Sequence, residues 1–318
     1  MEKTYSLVES QFKLVNDLIS EELSSDVNRI VDISHHLASA GGKRIRPLVT
    51  LLSACAIGER ENIKHIYLAT AIEFLHTATL LHDDVVDMSS LRRGKPTANA
   101  NWGNASSVLV GDFVYSKAFQ LLTKINNISV MNILSQITTK IAEGEVKQLM
   151  SIGDLNLSKE AYFDVITNKT AVLFSGACRC SARIANSDKK IEESLAGFGL
   201  HLGKAFQIFD DYLDYAGNSN DLGKNIGDDL AEGKLTLPLI EALRLTSNSK
   251  EHHIICNSIK ENSNANIERV IEICNDTGAL NNTLDMAKNE AKNAKKALEN
   301  LPKSIYLNAL NDIVDQAV

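Results

Sequence analysis

Two short aspartate clusters with the same spacing are the residues of this sequence best suited to chemistry. The first contains Asp83, Asp84 and Asp87, and the second contains Asp210, Asp211 and Asp214. Residues four apart share one face of a helix, and like charges at that spacing destabilise a helix unless a cation neutralises them. Two such pairs, each flanked by Leu, Phe and Ile, predict opposed walls of one Mg²⁺ site. Because Mg²⁺ held by a few carboxylates typically binds phosphate oxygens, the clusters indicate diphosphate chemistry.

Basic residues lie close to both clusters in the sequence. Lys43 and Arg46 follow Gly41 and Gly42 at a predicted helix start, where free backbone N–H groups attract anions. They can share one face of that helix, whereas Arg44 points elsewhere. The other basic residues near the clusters are Arg92, Arg93, Lys224 and Lys234. A basic pair on a turn is usually only solvated, but this joint placement predicts that metal ions hold one diphosphate and the cationic side chains another.

The composition is that of an ordinary globular enzyme. Hydrophobic residues make up 44% of the chain and charged residues 23%, which are average values, and the net charge of −7 argues against a general nucleic-acid binder. No apolar run approaches the ~20 residues that span a bilayer, and the N-terminus lacks the apolar region of a secretory signal. Five scattered cysteines predict reduced packing residues in a cytoplasmic protein.

Apolar residues at helical spacing recur along the whole chain, and alternating strand patterns are rare. The predicted helices are Ser6–Ile19, Val27–Leu37, Pro47–Ile57, Ile63–Met88, Ala105–Leu122, Val130–Met150, Ser158–Ala185 and Asp188–Tyr215, with several shorter ones after them. Ser89–Asn101 is predicted to be a loop, and the glycine-rich Gly217–Gly233 a mobile loop. Each aspartate cluster falls near the C-terminal end of its helix. The pattern predicts one all-α domain over residues 1–318.

The motifs in this order resemble those of the trans-isoprenyl diphosphate synthases. Leu80–Asp87 with Arg92–Gly94 is similar to the family's first aspartate-rich motif, and Phe206–Asp214 to its second. Gly41–Pro47 resembles the family's isopentenyl diphosphate motif, and Gly223–Pro238 its late lysine-bearing loop. The resemblance covers nearly the whole chain and is greatest to the bacterial octaprenyl diphosphate synthases.

The resemblance implies a fold and a set of site residues. The fold would be the all-α isoprenoid synthase bundle around a deep central cavity. Asp83 and Asp87 would bind two Mg²⁺ ions and Asp210 a third, with Asp84, Asp211 and Asp214 as indirect or water-mediated partners. The implied ligands of the allylic diphosphate are Arg92, Lys169 and Lys224, with Lys234 as an additional candidate, and those of isopentenyl diphosphate are Lys43, Arg46, His76 and Arg93. Thr170 and Gln207 would lie beside the reacting carbons.

Some of these side chains also have plain structural explanations. A histidine such as His76 on an apolar face is more often packed in a core, Gln207 could fill a polar gap, and Thr170 could bond the backbone of its own helix. Glu143 and Glu145 diverge on a helix, which favours a solvated or interface position for the pair.

The implied reaction is prenyl transfer by a cytoplasmic homodimer, with at most peripheral membrane contact for product release. Ala78 and Thr79 are small and lie about one turn before Asp83, where a bulky aromatic would close the cavity. The helix to Asp87 would be ~37 Å long, and at ~5 Å per isoprene unit it suits about seven to eight units. This predicts about C40 octaprenyl diphosphate, made from a farnesyl primer for quinone side chains.

Other functions are compatible with parts of this pattern. A terpene cyclase shares the first motif but would have no use for Gly41–Pro47, and a metal-storage bundle would not place lysines and arginines beside its carboxylates. A non-catalytic partner subunit of a heteromeric synthase would have lost some of the ligands, and none is missing here. A shorter-chain (C15–C20) synthase remains open as the alternative.

Overall fold

The computed structural model describes residues 2–39, 42–92, 94–216, 226–261 and 264–318. These residues are mainly α-helical, with a two-stranded antiparallel hairpin of Leu91–Arg92 (β1) and Lys95–Pro96 (β2). The helices before residue 151 are α1 (Glu2–Ser6), α2 (Glu9–Glu22), α3 (Asn28–Ser39), α4 (Ile45–Ala56), α5 (Ile63–Val86), α6 (Ala98–Trp102), α7 (Asn104–Ile125) and α8 (Ile128–Met150). The prediction of an all-α fold is confirmed.

The second half of the chain is also helical. Its α-helices are α9 (Lys159–Ile166), α10 (Val172–Ile184), α11 (Lys189–Ala216), α12 (Asp228–Ala231), α13 (Leu237–Leu245), α14 (Lys250–Lys260), α15 (Ile267–Asp276), α16 (Ala279–Ala297) and α17 (Ile305–Asp315). A π-helical turn, Thr167–Ala171, joins α9 to α10, and short 3₁₀ turns occupy Asn264–Asn266 and Leu298–Asn300.

Helices α5 and α11 position the two aspartate clusters. The side chain of Asn62 accepts a hydrogen bond from the Lys64 N–H and begins α5, which then packs against α2, α4, α7 and α10. Its largest interface is with α7, and it ends one residue before Asp87. Helix α11 packs along α10 and α16. Both clusters therefore stand on long helices that are held on several sides.

The buried apolar side chains form two clusters, and α11 contributes to both. Leu195 and Phe198 belong to the larger one, whereas Ile208 and Tyr215 belong to the smaller one, which α13–α16 complete. At the π turn the polypeptide also passes from the smaller cluster to the larger one. The π turn and the second aspartate cluster thus lie where the two cores meet.

Three predicted segments differ from the structure. Ser89–Asn101 contains the hairpin and α6, which Thr97 caps by accepting a hydrogen bond from the Ala100 N–H. Ser158 caps α9 as predicted, but the helix predicted to run to Ala185 is interrupted by the π turn, since helical periodicity does not reveal one inserted residue. Of the predicted mobile loop, α12 is helical, and residues 217–225 lie outside the described residues.

The described residues include no helix that is long and apolar enough to cross a membrane. All five cysteines are free thiols, and four of them are buried. Burial raises the pKa of Cys55 to about 11 and that of Cys178 to about 12. The thiols therefore act as small apolar packing groups.

Candidate functional site

The first aspartate cluster is paired with lysines from distant parts of the chain. The Oδ2 atom of Asp83 lies 3.8 Å from the Lys169 ammonium, and that of Asp87 lies 3.0 Å from the Lys234 ammonium. Both carboxylates are largely buried but reachable, with exposed side-chain fractions of 15% and 18%. The structure thus brings together two predicted metal ligands and two predicted diphosphate ligands.

Burial and neighbouring charge change the acidity of this cluster. Burial, with Glu145 and Asp87 nearby, raises the pKa of Asp83 to about 7, although the Lys169 ammonium opposes the shift. For Lys234, burial lowers the pKa, but the Asp87 and Glu232 carboxylates outweigh it and raise the pKa above its usual value. Asp83 is therefore a carboxylate that gains from a nearby cation.

Lys169 has two further partners that the sequence did not reveal. Its ammonium lies 2.8 Å from Glu145 Oε2 and 2.7 Å from Gln148 Oε1, both on α8. Glu143 is exposed, so the predicted divergence of the acidic pair is right, but a solvated or interface position is wrong for Glu145. The i, i+3 spacing of Glu145 and Gln148 is the signal that could have placed them on one helix face.

The π turn places two neighbouring site residues against different partners. Lys169 reaches the first aspartate cluster, while the hydroxyl of Thr170 donates a 2.9 Å hydrogen bond to Gln207 Oε1 on α11. Glycines let α8 and α11 approach the turn closely. A Cβ atom on Gly144 would lie 2.8 Å from the backbone nitrogen of Lys169, and one on Gly203 would lie 2.6 Å from a backbone atom of the turn. Single π turns occur frequently at functional sites.

The three aspartates of the second cluster have different environments. Asp210 is half-buried. Asp211 is buried, and its two oxygens accept hydrogen bonds from the Tyr162 hydroxyl at 2.5 Å and the Gln207 amide at 2.8 Å. Burial raises its pKa, which those two hydrogen bonds oppose. Asp214 accepts the Asp229 N–H at 3.2 Å at the start of α12. Asp211 and Asp214 therefore each bond another part of the protein.

The first aspartate cluster also contains a carboxylate that bonds the surrounding protein. The carboxylate of Asp84 is buried and contacts the Arg92 guanidinium at 2.8 Å and 2.7 Å. This fixes the β1–β2 hairpin on the end of α5. The structure thus places Arg92, a predicted diphosphate ligand, against a carboxylate beside the site. Arg93 and Lys224, the other predicted ligands in these loops, lie outside the described residues.

The predicted isopentenyl diphosphate ligands lie near the start of α4 and on α5. Lys43 is exposed, and the Arg46 guanidinium lies 4.5 Å from the centre of the Phe174 ring. A cleft between α2, α3, α5 and the hairpin is lined in part by His76, Arg44, Glu73 and Arg92. Arg44 is held by the Asn16 side chain and also lines this cleft. His76 is half-buried rather than packed in the core.

The two predicted chain-length residues differ in exposure. Ala78 is completely buried, whereas Thr79 is half-buried and bonds the His76 carbonyl through its hydroxyl at 2.8 Å. On a helix, Thr79 lies about 40° from Asp83 and Ala78 about 140° from it, at 100° per residue. Thr79 is thus on the carboxylate face, whereas Ala78 is on a different, fully buried face of α5.

The donor set suits a hard divalent cation shared with a ligand. Across the described residues, no three His, Cys, Asp or Glu side chains lie close enough together to hold a metal on their own. Proteins usually bind Mg²⁺ through one or two carboxylates, and phosphate oxygens and waters fill the other coordination positions. The partly exposed carboxylates of Asp83, Asp87 and Asp210 therefore have the chemistry of ligands for such a shared cation.

Comparison with known proteins identifies relatives over the full length of the chain. Residues 27–276 match the family model described as polyprenyl synthetase. An octaprenyl diphosphate synthase of Escherichia coli is 44% identical over 100% of this chain and 98% of that protein. An all-trans-nonaprenyl-diphosphate synthase (geranyl-diphosphate specific) of Rhodobacter capsulatus is 45% identical over 98% of this chain and 95% of that protein.

Solved structures show the same fold. A polyprenyl synthase from Caulobacter crescentus, complexed with calcium and isoprenyl diphosphate, superposes with a TM-score of 0.95 at 45% identity, over 99% of this chain and 96% of that chain. The family match and the identities over whole chains show that this protein belongs to the polyprenyl synthetase family.

Proposed function

We propose that this polyprenyl synthetase is a long-chain trans-polyprenyl diphosphate synthase, which adds isopentenyl diphosphate units to an allylic diphosphate. The observation that carries the proposal is the π turn. It sets Lys169 against the first aspartate cluster and Thr170 against Gln207, one turn before the second cluster. The 44% and 45% sequence identities to an octaprenyl and a nonaprenyl diphosphate synthase, over nearly the whole chain, support the long-chain assignment.

Asp83, Asp87 and Asp210 would hold the divalent metal, for which we propose three Mg²⁺ ions with substrate bound. When bound, Mg²⁺ would neutralise charge that develops on the departing diphosphate. Lys169 and Lys234 would bind the same diphosphate by exchanging their carboxylate partners for phosphate oxygens, with Arg92 and Lys224 as further ligands. Lys43, Arg46, His76 and Arg93 would hold isopentenyl diphosphate.

The reaction proceeds by alkylation of a double bond. The allylic C–O bond breaks, and its electron pair leaves with the diphosphate oxygen. The double bond of isopentenyl diphosphate attacks the allylic carbon to form the new C–C bond, and loss of a proton to a diphosphate oxygen restores an allylic product. The oxygens of Thr170 and Gln207 would face the carbons that carry positive charge. The described residues offer no carboxylate or histidine that is clearly placed as the base.

The proposed product is about C40 octaprenyl diphosphate, formed on a farnesyl primer and used as a quinone side chain. The growing tail would extend from the aspartates toward the start of α5, past Ala78 and Thr79. Helix α5 has 24 residues, or ~36 Å at 1.5 Å per residue, which suits about seven units of ~5 Å. These two residues would therefore set how far the chain grows, and the full chain would act as one catalytic domain.

We also propose that the enzyme is a homodimer that works in the cytoplasm and meets the membrane at most peripherally, when product leaves. Helices α7 and α8 pack on each other and carry large exposed apolar side chains, among them Leu109, Val146, Leu149 and Met150. A second copy covering this face would remove them from water. Sedimentation velocity tests the dimer, and a monomer at micromolar concentration would contradict it.

The direct test is to incubate purified protein with farnesyl diphosphate, radiolabelled isopentenyl diphosphate and Mg²⁺, and to resolve the products by chain length. We expect a ladder that ends near eight units, and no elongation when EDTA replaces Mg²⁺. The matched control is Asp83→Ala under the same conditions. Absence of any product longer than the primer would refute the function, and a ladder ending at C15–C20 would refute the long-chain assignment.

A further inference from the structure

Tyr162 is a buried tyrosine on α9 whose hydroxyl points at the second aspartate cluster. Its side chain is 4% exposed, and its ring packs edge-on against Phe163 with ring centres 5.5 Å apart. The hydroxyl donates a 2.5 Å hydrogen bond to Asp211 Oδ2. Apolar packing would be satisfied by a phenylalanine at this position, so the hydroxyl requires a separate explanation.

That hydroxyl begins a chain of hydrogen bonds that ends at the π turn. The other oxygen of Asp211, Oδ1, accepts the Gln207 amide N–H at 2.8 Å. The carbonyl oxygen of Gln207 in turn accepts the Thr170 hydroxyl at 2.9 Å. Two donors thus converge on the two oxygens of one carboxyl group, so both of its oxygens are held.

This series of hydrogen bonds fixes which way the Gln207 amide faces. If the amide rotated by 180°, its oxygen would face the Asp211 carboxylate and its NH₂ group would face Thr170. The Tyr162 hydroxyl prevents the carboxylate from turning to accommodate that state, because it holds the second oxygen. The amide oxygen of Gln207 therefore stays on the side of Thr170, next to the turn that carries Lys169.

We propose that Tyr162 is a positioning residue for prenyl transfer, which acts through Asp211 to hold the oxygens of Gln207 and Thr170 toward the reacting carbons. The inference rests on the proposed function. Carbon atoms that become positively charged are stabilised by fixed oxygen dipoles and opposed by an N–H donor in the same place. A fixed amide costs no reorganisation during the reaction, whereas a freely rotating amide spends part of its time reversed.

The first test is Tyr162→Phe, which keeps the ring and removes the hydroxyl. We expect kcat to fall roughly tenfold, the scale of one buried hydrogen bond. The KM values for both diphosphates should stay within about twofold, because the cationic side chains that bind diphosphate are untouched. The matched control is Tyr306→Phe, since Tyr306 is also buried, at 8% exposed, but lies on α17 with its ring centre 5.4 Å from the Arg60 guanidinium. This control should keep wild-type kcat.

A double-mutant cycle separates positioning from a merely structural role. If Tyr162 acts through the amide, Tyr162→Phe should have little further effect on kcat in a Gln207→Ala background, so that the two losses do not multiply. A structural role would lower kcat by the same factor in both backgrounds. Thermal melts of all variants provide the check on folding.

A second variant keeps the inference testable if Tyr162→Phe folds poorly. Asp211→Asn preserves the size of the side chain but offers an NH₂ group to Gln207, which should reverse the Gln207 amide and reduce kcat at least as far as Tyr162→Phe does. Wild-type kcat in Tyr162→Phe or Asp211→Asn, or multiplicative losses in the cycle, would overturn the inference. Failure of the wild-type protein to elongate any allylic diphosphate would instead refute the proposed function.

Discussion

Replacing Asp83 with Asn should stabilise the metal-free protein while removing most of its activity. The pKa of Asp83 is raised from 3.8 to about 7, with burial as the main cause. A shift of that size corresponds to about 4 kcal/mol, at about 1.4 kcal/mol per pKa unit. Because water still reaches the carboxylate, which is 15% exposed, we expect about half of this, roughly 2 kcal/mol. The variant leaves no orphaned cation, since Lys169 keeps Glu145 and Gln148.

The pH dependence of this effect has a definite sign. Between about pH 4 and 7 the folded protein binds a proton at Asp83 that the unfolded chain does not bind, so the free energy of unfolding of the wild type falls as the pH rises through that range. Asp83→Asn has no carboxyl group at this position, so its free energy of unfolding does not fall in this way. The difference between the two proteins should therefore be near zero at about pH 4 and complete at about pH 8.

The assay is urea denaturation in EDTA at both pH values, followed by turnover in Mg²⁺ at pH 8. Loss of an electrostatic contact to the leaving group should lower kcat by about 10²–10³-fold. Asp285→Asn is the control, because its carboxylate is exposed on α16 and should give the same stability difference at both pH values. A less stable Asp83→Asn at pH 8, or one with near-normal turnover, would refute the reasoning about burial or about metal binding respectively.

Three further predictions concern other parts of the molecule. Lys43→Ala or Arg46→Ala should raise the KM for isopentenyl diphosphate far more than that for the primer, and Lys224→Ala should do the reverse; equal effects in steady-state kinetics would refute two separate diphosphate sites. Ala78→Tyr should shorten the product ladder to about four units by placing a ring across the path of the tail, whereas Ala78→Val should not, and an unchanged ladder with tyrosine would show that the tail does not pass this part of α5. Glu22 is bonded by two lysines that, against the effect of burial, lower its pKa, so its stabilisation is present above about pH 4.5 and is lost as the pH falls below that. Glu22→Gln should therefore cost about 1–3 kcal/mol at pH 7 but much less at pH 3 by urea denaturation.

Local periodicity was sufficient to predict the elements that carry the carboxylates. Helix α5 begins at Ile63 as predicted, because an asparagine cap and a long apolar run are both local signals. The i, i+4 spacing placed Asp83 and Asp87 on one face, and the structure gives each of them a lysine partner. Such features depend on residues a few positions apart, so one sequence is enough to predict them.

The contacts that complete the site depend on residues far apart in the chain. Glu145 meets Lys169 only because α8 passes close to the π turn at Gly144, and no local pattern predicts that approach. Tyr162 and Asp211 are 49 residues apart. No local pattern connects them, since a tyrosine on an amphipathic helix is ordinarily a packing residue.

The pairing of carboxylates with lysines explains how the first acidic cluster can sit in a folded protein before any metal binds. Like charges four residues apart destabilise a helix, yet Asp83 and Asp87 each face a lysine, and those lysines have second acidic partners in Glu145 and Glu232. In the proposed function, Asp83 and Asp87 would hold Mg²⁺, and Lys169 and Lys234 would bind phosphate oxygens instead of these carboxylates. Substrate binding would then exchange ionic partners and avoid most of the desolvation cost of an unpaired ion.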